Sequence, residues 1–217
     1  MLQLYYALGA CSLASHIALE EAGAPYEGIR IDLKAGDQRQ PNYLKLNPKG
    51  RVPALITERG ILTENPAILA FVAQSFPAAK LAPIDDPFAF AQVQSFNAYL
   101  CATVHVAHAH RARGARWVDA NDVAALEAMK RKVPESVGAC FELIERSMFK
   151  GPSSAPWVMG ESYTICDPYL FTLANWLEND SIDPKRFPRI HDHRNRMAER
   201  PAVKRALAME KTAAAAA

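Results

Sequence analysis

Apolar and polar residues alternate at the start of the chain. Leu2, Leu4 and Tyr6 fall on one side of Gln3 and Tyr5, a period of two that predicts a strand. From Ser12 the period lengthens. Leu13 and Ile17 lie four apart with Ala18 beside them, which predicts a helix to Ala22. Gly23, with Pro25 two residues on, stops it. Strict alternation returns in residues 27–34, with Ile29, Ile31 and Leu33 on one face and Arg30, Asp32 and Lys34 on the other; this is a second strand. Residues 35–47 are polar and break the pattern as a loop or short helix. "VPALIT" and "GILTE" flank a turn at 58–60 and form a hairpin. Asn65 can cap a helix with Pro66 at its first position. Ile68, Leu69, Phe71 and Val72 carry that helix to about Phe76.

The order β-α-β, then β-β-α, suits a small mixed sheet covered by helices. Pro77, Pro83 and Pro87 punctuate the stretch that follows, and it reads as a linker. Beyond it the periodicity is helical. One helix spans 88 to about 113, and another spans 123 to about 149, with Pro134 and Gly138 threatening a kink. Thr164 with Asp167 three residues later forms a capping-box pattern that opens another helix, with Pro168 at its fourth position. Segments 188–200 and 201–207 complete a bundle. The predicted organisation is an α/β domain over 1–77, a linker over 78–87 and an all-α bundle over 88–211. A low-complexity tail, 212–217, is excluded from the fold argument.

Composition narrows the partners. Of 217 residues, 50% are hydrophobic and 22% charged, with a net charge of +2. That balance gives no global pull towards nucleic acid or a membrane surface. No apolar run is long enough to span a bilayer, and Met1 leads into a strand without a signal-peptide pattern. Cys11, Cys101, Cys140 and Cys166 are scattered without metal-ligand spacing. Free thiols in a chain of this size suit a reducing compartment, hence the cytoplasm.

Four stretches could carry chemistry. In "GACSLASH" the thiol of Cys11 stands where a helix begins, and a helix N-terminus favours thiolate over thiol. Ser12 adds a hydroxyl, and Tyr6 a phenol if it faces the same side. A buried structural thiol is equally compatible with that position. In "NPKGRVPAL" (47–55) the Val52-Pro53 bond is a candidate cis peptide. Its backbone could pair with an extended peptide as an added strand does. In "LTENPAI" (62–68) Glu64 could hold an ammonium, while Asn65 and the helix N–H groups could hold a carboxylate. In "VHVAHAHRARGAR" (104–116) His105 and His108 share a helix face, with His110, Arg111, Arg113 and Arg116 adding positive charge. That run lacks an acid at helical spacing, so metal binding is not expected. It also lacks interleaved aromatics, so nucleic acid is not expected either.

Together these motifs resemble the cytosolic glutathione S-transferases, most of all the bacterial beta class. "GACSLASH" after a first strand, "NPKG-x-VPAL", "LTE" before the third helix, His105 in the first long helix of the second domain and "T-x-x-D-x-YLF" all occur in order. They cover residues 2 to about 207. The resemblance implies a thioredoxin-like N-terminal domain, an all-helical C-terminal domain, a homodimer and glutathione as co-substrate in the cleft between the domains. It implies catalysis by Cys11 and His105, with Ser12 and Tyr6 as further contributors. Glutathione would be bound by Cys11, Lys34, Arg51, Val52, Pro53, Glu64, Asn65 and His105. Acceptor-site candidates are His108, Arg111, Arg113 and Trp117. The chain departs from the class pattern at Asn65, at Ala98, at the pair Ala102–Thr103, and in the loop after the second strand. The implied activity is attack of glutathione's thiol on electrophilic small molecules, with thiol–disulfide exchange or peroxidase activity as side reactions. The alternative is a non-catalytic protein of the same fold that binds a hydrophobic ligand or a protein partner.

Overall fold

The structure, a computed structural model, describes residues 1–215. Its first part is β1 (Leu2–Tyr6), α1 (Leu13–Ala22), β2 (Tyr26–Arg30), α2 (Pro41–Leu46), β3 (Ala54–Thr57), β4 (Gly60–Thr63) and α3 (Asn65–Ser75). The sheet order is β2-β1-β3-β4. β1 and β2 run parallel, while β3 is antiparallel to both β1 and β4. This is the thioredoxin-like arrangement. Leu4, Tyr6 and Leu55 from the sheet meet Ala14, Ala18, Ile68 and Leu69 from α1 and α3 in one buried core.

β2 is shorter than the alternation predicts. Ile31 still donates to the Tyr6 carbonyl at 2.7 Å. The Asp32 carboxylate then accepts from the N–H groups of Lys34 and Ala35, and that side-chain turn ends the pairing. At α3 the cap differs too. The helix begins at Asn65, and Glu64 occupies the cap position with φ 74°.

The helical part is α4 (Pro87–Tyr99), α5 (His105–Arg113), α6 (Val123–Leu143), α7 (Cys166–Ala174), α8 (Pro188–Glu199) and α9 (Pro201–Ala215). The expected single helix over 88–113 is α4 and α5 joined by a widened π-type turn at Leu100–Val104. α6 passes through Pro134. The capping box is formed: Asp167 accepts from the Thr164 N–H at 2.6 Å, and the Thr164 hydroxyl accepts from the Cys166 N–H. Asp167 also binds the Val158 N–H and His193, so one buried carboxylate organises the middle of the bundle. The low-complexity tail starts within a helix, since 212–215 continue α9; residues 216 and 217 lie outside the described residues. No helix among the described residues is long and apolar enough to cross a membrane.

Candidate active site

Cys11 sits in the turn between β1 and α1. Hydrogen bonds from several directions fix that turn. The Ser12 hydroxyl donates to the Ala7 carbonyl and accepts from the Ala7 N–H, at 3.3 and 3.1 Å. The Asn65 amide donates to the Cys11 carbonyl at 2.8 Å, and its oxygen accepts from Ser15 at 2.6 Å. Gly9, at φ 66°, takes up a left-handed conformation that suits glycine. Both its backbone polar groups are held from the helical part: its N–H by Glu210 at 3.2 Å, its carbonyl by the Trp176 indole N–H at 3.1 Å.

The Cys11 thiol points at the neighbouring loop and donates to the Val52 carbonyl at 3.3 Å. The Val52-Pro53 peptide is cis. Tyr43 and Asn47 pin this loop by donating to the Arg51 carbonyl, each at 2.7 Å. Glu64 borders the same space, with Lys49 2.6 Å from its carboxylate.

These residues form one wall of a cleft of about 430 Å³; the other wall comes from the π-type turn, α5 and the end of α7. Cys11, Arg51, Val52, Pro53, Glu64, Asn65, His105, His108, Arg111, Arg113 and Trp117 all line it. Three expectations fail. Ser12 is fully buried, its hydroxyl committed to Ala7, so it braces the turn and does not face the cleft. Tyr6 is buried with its ring 4.9 Å from His16. The alternation of β1 turns its phenol towards α1 and Glu210, where burial and then Glu210 raise its pKa. Lys34 is exposed outside the cleft, because the Asp32 turn redirects the chain; Arg39 from the following loop reaches the cleft instead. Asn65 lines the cleft, and its side-chain amide is engaged with the Cys11 carbonyl and the Ser15 hydroxyl.

Residues missed by sequence reasoning complete the walls. Cys101, Arg116, Tyr169 and Trp176 all line the cleft. Arg116 stood in the basic run. Tyr169 belonged to "YLF". For Cys101 and Trp176 the sequence carries no local signal.

Electrostatics separate the groups. Burial, then Cys101 and Glu64, push the Cys11 thiol up to about 12. The expected lowering by the helix N-terminus is therefore outweighed. Desolvation opposes a buried anion more strongly than a partial charge favours it. His105 is pushed down to about 4, by burial first and then by His108, Arg116 and Arg51, so it is neutral at physiological pH. Arg39, Arg51, Arg111, Arg113 and Arg116 share the cleft. Burial, then Arg51, Arg113 and Arg39, hold the Arg116 guanidinium below its usual value. Such a cluster attracts anions. No group of His, Cys, Asp or Glu among the described residues is arranged to hold a metal ion.

Comparison with known proteins agrees with this geometry. The glutathione S-transferase N-terminal domain model matches residues 1–74, and the corresponding C-terminal domain model matches 96–201. A glutathione S-transferase from Escherichia coli O157:H7 is 32% identical over 96% of this chain and 98% of its own. A Sulfitobacter glutathione transferase homologue, crystallised with glutathione bound, superposes with a TM-score of 0.88. Its identity is 43%, covering 94% of this chain and 95% of the other. A beta-class glutathione S-transferase from Sphingomonas chungbukensis gives 0.81 at 31% identity, covering 96% and 98%.

Proposed function

The chain belongs to the glutathione S-transferase family, and from that premise we propose how its cleft holds glutathione and activates its sulfur. The peptide lies against the Val52-Pro53 backbone. Glu64 takes the γ-glutamyl ammonium, and the N-terminus of α3 takes the adjoining carboxylate. Arg39 and Arg51 bind the glycyl carboxylate.

Glutathione's thiol has a pKa of roughly 8.5 to 9, like a free cysteine. Conjugation requires that it fall by a unit or two, about 1.4 kcal/mol each. Cys11 contributes as a thiol. It swings its S–H bond from the Val52 carbonyl to glutathione's sulfur and stabilises the thiolate. The supporting observation is the Cys11 hydrogen bond to the Val52 carbonyl, which keeps a thiol proton at the cleft, with burial pushing the thiol's pKa up to about 12. The arginines and the start of α1 add positive potential, and neutral His105 offers a ring N–H. Thiol–disulfide exchange through Cys11 is then a minor activity.

The test is a pair of variants assayed for conjugation. Cys11→Ser retains a donor and keeps kcat/KM within about tenfold. Cys11→Ala loses a hydrogen bond to a charged group, about 1.5–3 kcal/mol, or roughly 10- to 150-fold. Equal, near-complete loss in both variants would show that the sulfur of Cys11 itself reacts.

On the acceptor side, Arg111, Arg113 and Arg116 favour an electrophile that carries a carboxylate, with Trp117 as an apolar wall. Comparing a carboxylated electrophile with its methyl ester tests this; equal KM values refute it. The working form is a homodimer, so light scattering should give twice 23.9 kDa. Four free thiols support a cytoplasmic location.

A further inference from the structure

A second polar cluster opens on the same cleft without belonging to the sulfur-activating group. Asp180 follows α7, and its side chain is 1% exposed. One carboxylate oxygen lies 2.7 Å from His108 Nδ1, while the other has no protein partner. A carboxylate at Nδ1 fixes the proton on that nitrogen and sets the ring's orientation. The ring is held on a second side by Trp176, stacked at 4.2 Å and 24°. Trp176 is itself anchored to Gly9. His108 lines the cleft, and Nε2 has no protein partner among the described residues. A fixed imidazole with one nitrogen on a buried acid and the other available to a ligand is the arrangement that proton transfer requires. The buried Asp167–His193 pair inside the bundle differs in this, since neither of its residues lines the cleft.

Elementary chemistry says which reactions need such a group. Displacing a halide from an aromatic ring expels an anion, and the product takes up no proton. Adding a thiolate to an alkene conjugated to a carbonyl leaves an enolate that must be protonated. We infer that His108, oriented by Asp180, protonates the acceptor, and that the acceptors it serves are conjugated carbonyl alkenes. This rests on the glutathione-transferase reading above. In the step, glutathione's sulfur forms a bond to the β-carbon and the alkene π bond breaks. Its electron pair moves onto the α-carbon and carbonyl as an enolate. Nε2, whose lone pair is open because the ring proton sits on Nδ1, first takes up through water the proton that glutathione's thiol releases, and then gives that proton to the α-carbon. The ring ends as it began, so thiol plus alkene becomes thioether with no other reactant. His108 is the catalytic residue in this step and Asp180 a positioning residue.

The test compares ethacrynic acid, a conjugated ketone whose addition creates a stereocentre at the α-carbon, with chlorodinitrobenzene. Two quantities are read for each enzyme: the ratio of the two kcat values, and the diastereomer ratio of the ethacrynic adduct by NMR. The wild type gives unequal diastereomers. His108→Gln lowers the kcat ratio by roughly a hundredfold, the lower range for general acid catalysis, and returns the diastereomers to the uncatalysed proportion. Asp180→Asn moves both readouts in the same direction. An unchanged kcat ratio and stereochemistry in His108→Gln overturns the inference while leaving transferase activity intact. So does a wild-type adduct with the uncatalysed diastereomer proportion, a result that needs no variant to fold. If the wild type conjugates neither electrophile, the transferase reading fails and this inference with it.

Discussion

Iodoacetamide should alkylate Cys11 slowly, at a rate still climbing with pH near about pH 10. Burial raises the thiol's pKa from 9.0 to about 12, with Cys101 and Glu64 adding to it. That rise amounts to about 4 kcal/mol against the thiolate. At neutral pH the thiolate is then roughly a thousandfold scarcer than for an ordinary thiol. A more basic thiolate is also a better nucleophile, which recovers roughly twentyfold. The net expectation is alkylation roughly fiftyfold slower than for a free thiol of ordinary pKa. The measurement uses the glutathione-free wild-type protein and follows the Cys11 peptide alone, apart from that of half-buried Cys101. Timed quenches across the pH range are read by peptide mass spectrometry. A plateau below about pH 8 would refute the reasoning. It would mean that the start of α1 outweighs desolvation, and Cys11 would become a nucleophile in its own right.

Acid should destabilise the fold through His105. The unfolded chain takes up a proton near 6.5, whereas the folded ring resists until about 4. Protons therefore favour unfolding within that window, and stability falls as pH drops through it, by up to about 3 kcal/mol, with no further loss from this group below it. Urea melts of wild type and His105→Gln on either side of the window check this, and parallel pH dependences would contradict it. Asn65→Ala removes the bonds to Cys11 and Ser15 and should cost about 2–4 kcal/mol. Calorimetry should show weaker glutathione binding as well, since the thiol turn loses a brace; unchanged affinity would detach Asn65 from the site. Asp167→Ala leaves His193 and two N–H groups unpaired inside the bundle. A loss of about 3–5 kcal/mol in denaturant melts is expected, with any smaller effect than about 1 kcal/mol counting against the buried-network account.

Local periodicity reports which face of an element is apolar, and that was enough for β1, α1, the hairpin and the helical character of everything after the linker. It fails where a distant residue decides. Asn65 precedes a proline at a helix start, so capping was the natural expectation. The amide of Asn65 is instead drawn inwards by the Cys11 carbonyl and Ser15, some fifty residues away in sequence. Lys34 continued an alternating strand until Asp32 closed on its own backbone. Ser12 and Tyr6 adjoin Cys11 in sequence, yet a strand reverses faces at each residue and a turn can fold a hydroxyl back on its own chain. Trp176 is legible only in three dimensions: nothing near it in sequence indicates that its indole will reach Gly9.

The Gly9 contacts bear on how the two halves of the molecule share one reaction. Gly9 lies two residues before the thiol, and both its peptide groups are held by the helical part, through Trp176 and Glu210. Trp176 carries His108 on its face and lies 5.2 Å from His105. The Trp176 side chain thus touches both the Cys11 turn and the two imidazoles. A movement of the α7 end that shifted the acceptor wall would shift the thiol with it. The Cys11 turn and the α5 wall are therefore joined by a continuous set of contacts across the cleft. Such continuity matters because a displacement of about 1 Å in a reacting group can cost roughly a hundredfold in rate.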